Sequence, residues 1–135
     1  MSLTLTDATP TTPVNRTFVA TQSSPDLTIW KDFTTNGGYP IGAGTATASV
    51  KENGNGTTRV QLKLTLPTLE TASGETDLGF TPVPTKAFDS LGGIDLVFPN
   101  RASLQNRKDL LAMLKDFLGD AVVTSAVESF VHPTG

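Results

Sequence analysis

Between Thr45 and Leu66 the chain reads TATASVKENGNGTTRVQLKLTL, and its side chains alternate between two chemistries for almost the whole stretch. Thr45, Thr47, Ser49 and Lys51 alternate with Ala46, Ala48 and Val50; further on, Arg59, Gln61, Lys63 and Thr65 alternate with Val60, Leu62, Leu64 and Leu66. Successive side chains of a strand point to opposite faces, so the pattern predicts an antiparallel pair with one polar and one apolar face. Asn53-Gly54-Asn55-Gly56 lies between the arms and supplies residues that tolerate positive φ, as a hairpin reversal requires.

Parity then limits the register. The two polar rows share a face only if paired residue numbers sum to an even value, which demands an odd-length loop. Pairing Asn53 with Thr57 around Gly54-Asn55-Gly56 predicts the opposed pairs Lys51–Arg59, Ser49–Gln61 and Thr47–Lys63, with Gly56 in the left-handed position. A longer odd loop shifts these pairs and keeps the faces. Lys51 opposite Arg59 is a like-charge pair, unfavourable in isolation, so either an anion compensates it or water solvates it.

The 135 residues fit one domain, long enough to bury roughly two thirds of the unfolded surface. Ten Lys and Arg against 13 Asp and Glu give a net charge of −3, which argues against a broad basic surface for polyanions at large. Any nucleic-acid contact must be local. The segment from Asn53 to Thr68 holds Arg59 and Lys63 and no acid, whereas acids gather at Glu70, Glu75, Asp77, Asp89, Asp95, Asp109, Asp116, Asp120 and Glu128. The absence of cysteine excludes disulfides, thiolate metal sites and a cysteine nucleophile. No apolar run approaches the roughly 20 residues of a membrane span, and MSLTLTDATP lacks the basic start and apolar core of a signal peptide, so an intracellular product without membrane contact is expected.

Ser2–Thr6 and Arg16–Gln22 read as a leading hairpin interrupted by Pro10 and Pro13. Asp26–Phe33 is rich in strand formers; Ile29 and Trp30 both suit a core, and the size of Trp30 favours it inward. Thr34–Gly44 is a loop by its Gly and Pro content, and Thr68–Pro84, with its acids, small residues, Gly and Pro, reads as a long exposed loop. Lys86–Phe98 resumes strand character, with Gly92-Gly93 suggesting a bulge or bend. From Ala102 the period changes: Leu104, Leu111, Leu114 and Leu118 fall at helical spacing, Gly119 can close that helix, and Asp120 can cap a second whose stripe is Val123, Ala126, Val127, Phe130 and Val131.

The result is an α+β arrangement of about six short antiparallel strands followed by two helices. The single domain, 1–135, divides into a leading hairpin over 1–22, a sheet over 26–98 with its loop over 68–84, and helices over 102–131. Two terminal helices are a modest lid for such a sheet, and a symmetric dimer that lays one subunit's helices on the other's sheet would bury both. His132 lies beside Pro133 in a tail, the carboxylates show no metal-ligand spacing, and the Gly pairs lack the context of a phosphate loop. No catalytic residue, metal, cofactor or small-molecule substrate is expected.

The strand pattern, the Asn/Gly reversal and the closing helix pair together resemble the coat proteins of single-stranded RNA bacteriophages, the levivirus type. ASVKENGNGTTRVQLKLTLP, residues 48–67, is similar to the two central strands of that family, and NRASLQNRKDLLAMLKDFL, residues 100–118, to its first helix. The resemblance implies an N-terminal hairpin, a five-stranded antiparallel sheet and two helices that interlock with a second copy. It further implies a homodimer that builds an icosahedral shell, a virion location, and an inner sheet face that binds single-stranded RNA, including a genomic hairpin whose binding represses replicase translation and favours packaging.

Carried over position by position, Thr45, Thr47, Ser49, Lys51, Arg59, Gln61, Lys63 and Thr65 fall where the family's sheet faces RNA, and Asn53 adjoins them. Lys51, Arg59 and Lys63 suit phosphates, while Thr47, Ser49, Asn53 and Gln61 suit bases or sugar hydroxyls. The intersubunit clamp would fall on Leu104, Leu111, Leu114, Leu118, Val123, Val127 and Phe130. The chain departs from the family at Leu91 and Gly93, the positions nearest to an aromatic on which well-studied members stack an unpaired base. The competing class is a dimeric β-rich binding or adaptor domain that offers its polar sheet face to a protein or carbohydrate.

Overall fold

A computed structural model describes residues 2–34, 38–70 and 84–133. Six strands form one antiparallel-paired sheet in chain order: β1 (Ser2–Thr6), β2 (Asn15–Ser23), β3 (Leu27–Asp32), β4 (Gly44–Asn53), β5 (Thr57–Glu70) and β6 (Thr85–Pro99). The leading hairpin therefore continues the sheet through β2 and β3. Two helices follow, α1 (Leu104–Leu118) and α2 (Ala121–Ser129). The chain divides into two compact units, Met1–Val97 and Phe98–Gly135.

In the sheet unit, opposed residues share a face, so the pairing settles the parity of each strand. Trp30 lies opposite Ala46, which lies opposite Leu64, and Ile29 lies opposite Thr47. The expected inward placement of Trp30 holds: it shares the apolar face, with its indole Nε1 buried and without a hydrogen-bond partner. Phe18, opposite Leu3, is 1% exposed and forms the core with Ala43, Ala46 and Leu96. Glycine suits the start of β4, because a Cβ at Gly44 would stand 3.3 Å from Phe18 Cε2 and 3.5 Å from Leu66 Cδ2, tight against a buried ring. Asp32 is buried at the end of β3 and accepts from the Thr34 amide at 2.9 Å and the Thr34 hydroxyl at 2.6 Å.

The strands differ from the sequence expectation in extent and regularity. β5 runs through Pro67 to Glu70, so Thr68, Leu69 and Glu70, expected in the loop, belong to the strand. Its pairing with β4 ends at Thr45–Thr65, and a proline beyond that point removes no donor from this ladder. Most of the expected loop, residues 71–83, lies outside the described residues, as do residues 35–37 of the expected Thr34–Gly44 loop. β6 continues through Gly92-Gly93 without interruption, while β2 carries a register shift between Ala20 and Gln22 that leaves Thr21 as the extra residue.

The connection from β1 to β2 is organised by Asp7, whose carboxylate accepts from the Thr9 hydroxyl at 2.7 Å, the Val14 amide at 2.8 Å and Arg16 Nε at 3.1 Å. These bonds hold its carboxyl well below the usual carboxylate range, the Val14 amide first among them.

In the helical unit, Ser103 caps α1 by accepting from the Asn106 amide at 3.2 Å. Gly119 closes α1, and Asp120 caps α2 by accepting from the Val122 amide at 2.9 Å. Phe130, expected on the apolar stripe, instead lies past the end of α2. It takes the left-handed conformation at φ 53° and donates its amide to the Ser125 carbonyl, which ends the helix. Neither helix contains a buried residue.

Candidate nucleic-acid interface

The site begins with the hairpin turn. Asn53 pairs with Thr57, and Gly56 takes φ +82°, the left-handed position that parity and the odd loop demanded. The turn is tied by Asn53 Nδ2 donating to Thr57 Oγ1 at 3.3 Å and by Thr57 Oγ1 donating to Asn55 Oδ1 at 2.8 Å. Asn53 thus stands at the edge of the face with its amide engaged by the turn.

From that fixed point the register follows as expected, with Lys51 opposite Arg59, Ser49 opposite Gln61, Thr47 opposite Lys63 and Thr45 opposite Thr65. All eight residues occupy one face of β4 and β5. Lys51, Arg59 and Lys63 are exposed, while Thr45, Thr47, Ser49, Gln61 and Thr65 are half-buried between their neighbours. Arg59 and Lys63 are four residues apart along β5, roughly 13 Å at the rise of a strand, so their charges address separate positions on an extended ligand.

β3 widens the face. Lys31 lies opposite Thr45, Ile29 opposite Thr47 and Leu27 opposite Ser49. Lys31 is therefore a further cation on this side that sequence reasoning did not include. The signal was available, since Trp30 inward forces Lys31 outward by alternation.

β6 contributes an anion. Asp95 grips Arg59 side-on, with Arg59 Nε donating to Asp95 Oδ1 at 2.9 Å and to Oδ2 at 3.0 Å, and Nη2 donating to Oδ2. The like-charge opposition of Lys51 and Arg59 is compensated by this carboxylate. The Arg59 hydrogen bond holds the Asp95 carboxyl below its ordinary value against the opposing effect of burial; the Arg59 charge, a Gln61 hydrogen bond and the Lys63 charge act in the same direction as the Arg59 bond. The bond to Asp95 correspondingly raises Arg59. Gly93, on the same side of β6, would place a Cβ 3.5 Å from the Leu62 carbonyl and 3.7 Å from Lys63 Cγ, so β6 runs close alongside the cationic row. Leu91 is 78% exposed, and neither position offers a ring.

The other face of the sheet is partly open in the single chain, with Val50 52% and Leu62 39% exposed. In the helical unit Leu104, Leu111, Leu118, Val127 and Phe130 are exposed, and Leu114 and Val123 are half-buried. Among the described residues no group of His, Asp and Glu is placed to hold a metal ion, and no helix is long and apolar enough to cross a membrane.

An ordered antiparallel sheet with one cation-studded polar face, followed by a pair of amphipathic helices with no buried residue, is the build of a subunit made for assembly. The profile of the levivirus coat protein family matches residues 1–133, and the chain belongs to that family. It is a structural subunit of a viral capsid and a component of the virion, not an enzyme. Among solved structures, the subunit of the virus-like particle of bacteriophage ESE058 is 27% identical, with a TM-score of 0.84 over 98% of this chain and 97% of that one. The subunit of the virus-like particle of bacteriophage NT-214 is 30% identical, with a TM-score of 0.81 over the same shares, 98% and 97%. The capsid protein of bacteriophage GA shares the fold at 23% identity, with a TM-score of 0.72 over 95% of this chain and 92% of that one. A comparison with curated protein sequences finds no significant match.

Proposed function

We propose that this coat subunit works as a homodimer within an icosahedral shell and that its odd-numbered sheet face contacts the single-stranded RNA enclosed there. The observation that carries the RNA reading is the register: it gathers Lys51, Arg59 and Lys63, with Lys31 beside them, onto one side of a chain whose net charge is −3. A random scatter of that charge balance would not favour polyanions; a local row does. Thr45, Thr47, Ser49, Gln61 and Thr65 fill the spaces between the cations with hydroxyls and an amide that can bond sugars and unpaired bases. The same face would take a hairpin of the genomic RNA, coupling packaging to repression of replicase translation, with polar contacts rather than a ring at Leu91 or Gly93.

The dimer reading rests on uncovered apolar surface. Leu104, Leu111, Leu118, Val127 and Phe130 are exposed on the helical unit, and Val50 and Leu62 on the sheet. Large apolar side chains left exposed on both units are what an interface would cover, and helices of one copy laid across the sheet of another, with Leu114 and Val123 completing the seam, would bury both at once.

Expression of the full chain followed by electron microscopy and size analysis tests the reading. Regular particles whose ultraviolet absorbance shows enclosed host RNA are expected. Particles that assemble empty, or whose RNA content is unchanged when Lys51 and Lys63 are both replaced by Ala, would remove the sheet face from RNA contact.

A further inference from the structure

Among the described residues the ion pairs are Arg16–Asp7, Arg59–Asp95 and Lys86–Asp89, so on the polar face Arg59 is engaged while Lys31, Lys51 and Lys63 are not. The engagement is specific in geometry. Two guanidinium nitrogens meet both carboxylate oxygens, the arrangement in which Arg also binds a phosphate. A carboxylate and a phosphate oxygen pair compete for the same fork. Asp95 is not a remote counterion: Gln61 and Lys63, the next two residues of the row along β5, act on it as well, and β6 passes beside them at Gly93, so it borders the row that RNA would occupy.

We propose that Asp95 is a built-in competitor for RNA phosphate at Arg59, which removes one cation from the face's general attraction for single-stranded RNA and so limits indiscriminate binding. The inference rests on the reading that this face binds RNA. Sequence-independent binding to nucleic acid comes almost wholly from phosphate neutralisation. Occupying Arg59 lowers that part and leaves the hydroxyl contacts of Thr47 and Ser49 untouched. An RNA that uses those contacts gains relative to one that offers charge alone.

The opposite role, in which Asp95 positions Arg59 to receive phosphate, makes the opposite prediction, and oligouridylate binding to the full-length chain below its assembly concentration separates them. If Asp95 competes, Asp95→Asn frees one phosphate contact: log K against log salt should steepen by about 0.7, which amounts to about five-fold tighter binding at 0.1 M relative to 1 M salt. The double variant Arg59→Ala with Asp95→Ala keeps the net charge of the face and should bind oligouridylate within about two-fold of the parent, since neither partner was available to RNA. Weaker or unchanged binding by Asp95→Asn, or a double variant as impaired as Arg59→Ala alone, overturns the proposal. Lys63→Ala serves as the arm for the underlying reading: if it weakens binding while Asp95→Asn does not strengthen it, only the competitor role fails. If the parent shows no salt-dependent binding at all, both fail. Asp95→Ser repeats the measurement should the Asn variant lose its thermal transition.

Discussion

Replacing Gly44 by Ala should destabilise the sheet although it adds a single methyl group. The new Cβ would lie 3.3 Å from Phe18 Cε2, 3.4 Å from Phe18 Cζ and 3.5 Å from Leu66 Cδ2. Phe18 is 1% exposed and has no solvent to retreat into. Overpacking a dense core costs about 1–3 kcal/mol, whereas reducing the freedom of the unfolded chain returns about 0.4–1 kcal/mol. The net loss is about 1–2 kcal/mol, and the thermal midpoint of the dissociated protein should fall by about 4–8 °C at fixed protein concentration. Gly54→Ala is the internal control: nothing lies within 4 Å of its added Cβ, and its φ is not positive, so it should leave the midpoint unchanged or slightly raised. Phe18→Leu combined with Gly44→Ala should recover part of the loss, with a coupling of about 1 kcal/mol. A Gly44→Ala protein as stable as the parent, or single effects that simply add, would refute the claim that β4 starts at a glycine because Phe18 fills the space.

Gly56→Ala should cost about 1–2 kcal/mol in urea unfolding, because a side chain would be forced to φ +82°, and Gly56→Asn should recover part of it. Ser103→Ala and Asp120→Ala should each cost about 1 kcal/mol by removing a helix cap, read from the same unfolding curves. Asp7 ionises more readily in the folded protein than in the unfolded chain. Its contribution is therefore present above its unfolded pKa of about 3.9 and is lost as pH falls from there toward its depressed folded value. The parent should lose stability below about pH 4, and Asp7→Asn, less stable near neutrality, should show a flatter acid limb in thermal melts. Lys31→Ala should flatten the salt dependence of oligouridylate binding by about 0.7 in log–log slope, with a slope equal to the parent's removing Lys31 from the interface.

The register of the central hairpin was legible because two constraints met at one place: alternation fixed which residues share a face, and the Asn/Gly run fixed where an odd loop could close. The shared face follows from those alone, and the rows Lys51–Arg59, Ser49–Gln61 and Thr47–Lys63 follow once the loop is the three-residue one that Gly56 closes. Strand ends were less legible. Pro67 looks like a stop, yet it lies past the last pair with β4 at Thr45–Thr65, where the sequence carries no mark of how far the partner strand extends. Phe130 looked like the next turn of an apolar stripe, and only the bond of its amide to Ser125 shows that the helix has closed. An anion near Arg59 was one of two outcomes readable from the like-charge opposition, with solvation by water the other, but the identity of Asp95 was not readable. It is 36 residues away in sequence, and its placement depends on β6 lying next to β5, which no local pattern encodes.

The order of the strands in the sheet repeats their order in the chain. Every new strand therefore docks on the one made just before it, and no early segment must wait with an unpaired edge for a distant complement. Such nearest-neighbour zipping keeps the closure entropy of each step small. It also lets the polar sheet wall take shape while the polypeptide is still emerging from the ribosome. The helices follow the sheet in the chain, so in the proposed dimer the surface that locks two copies together is withheld until each has a finished wall to offer.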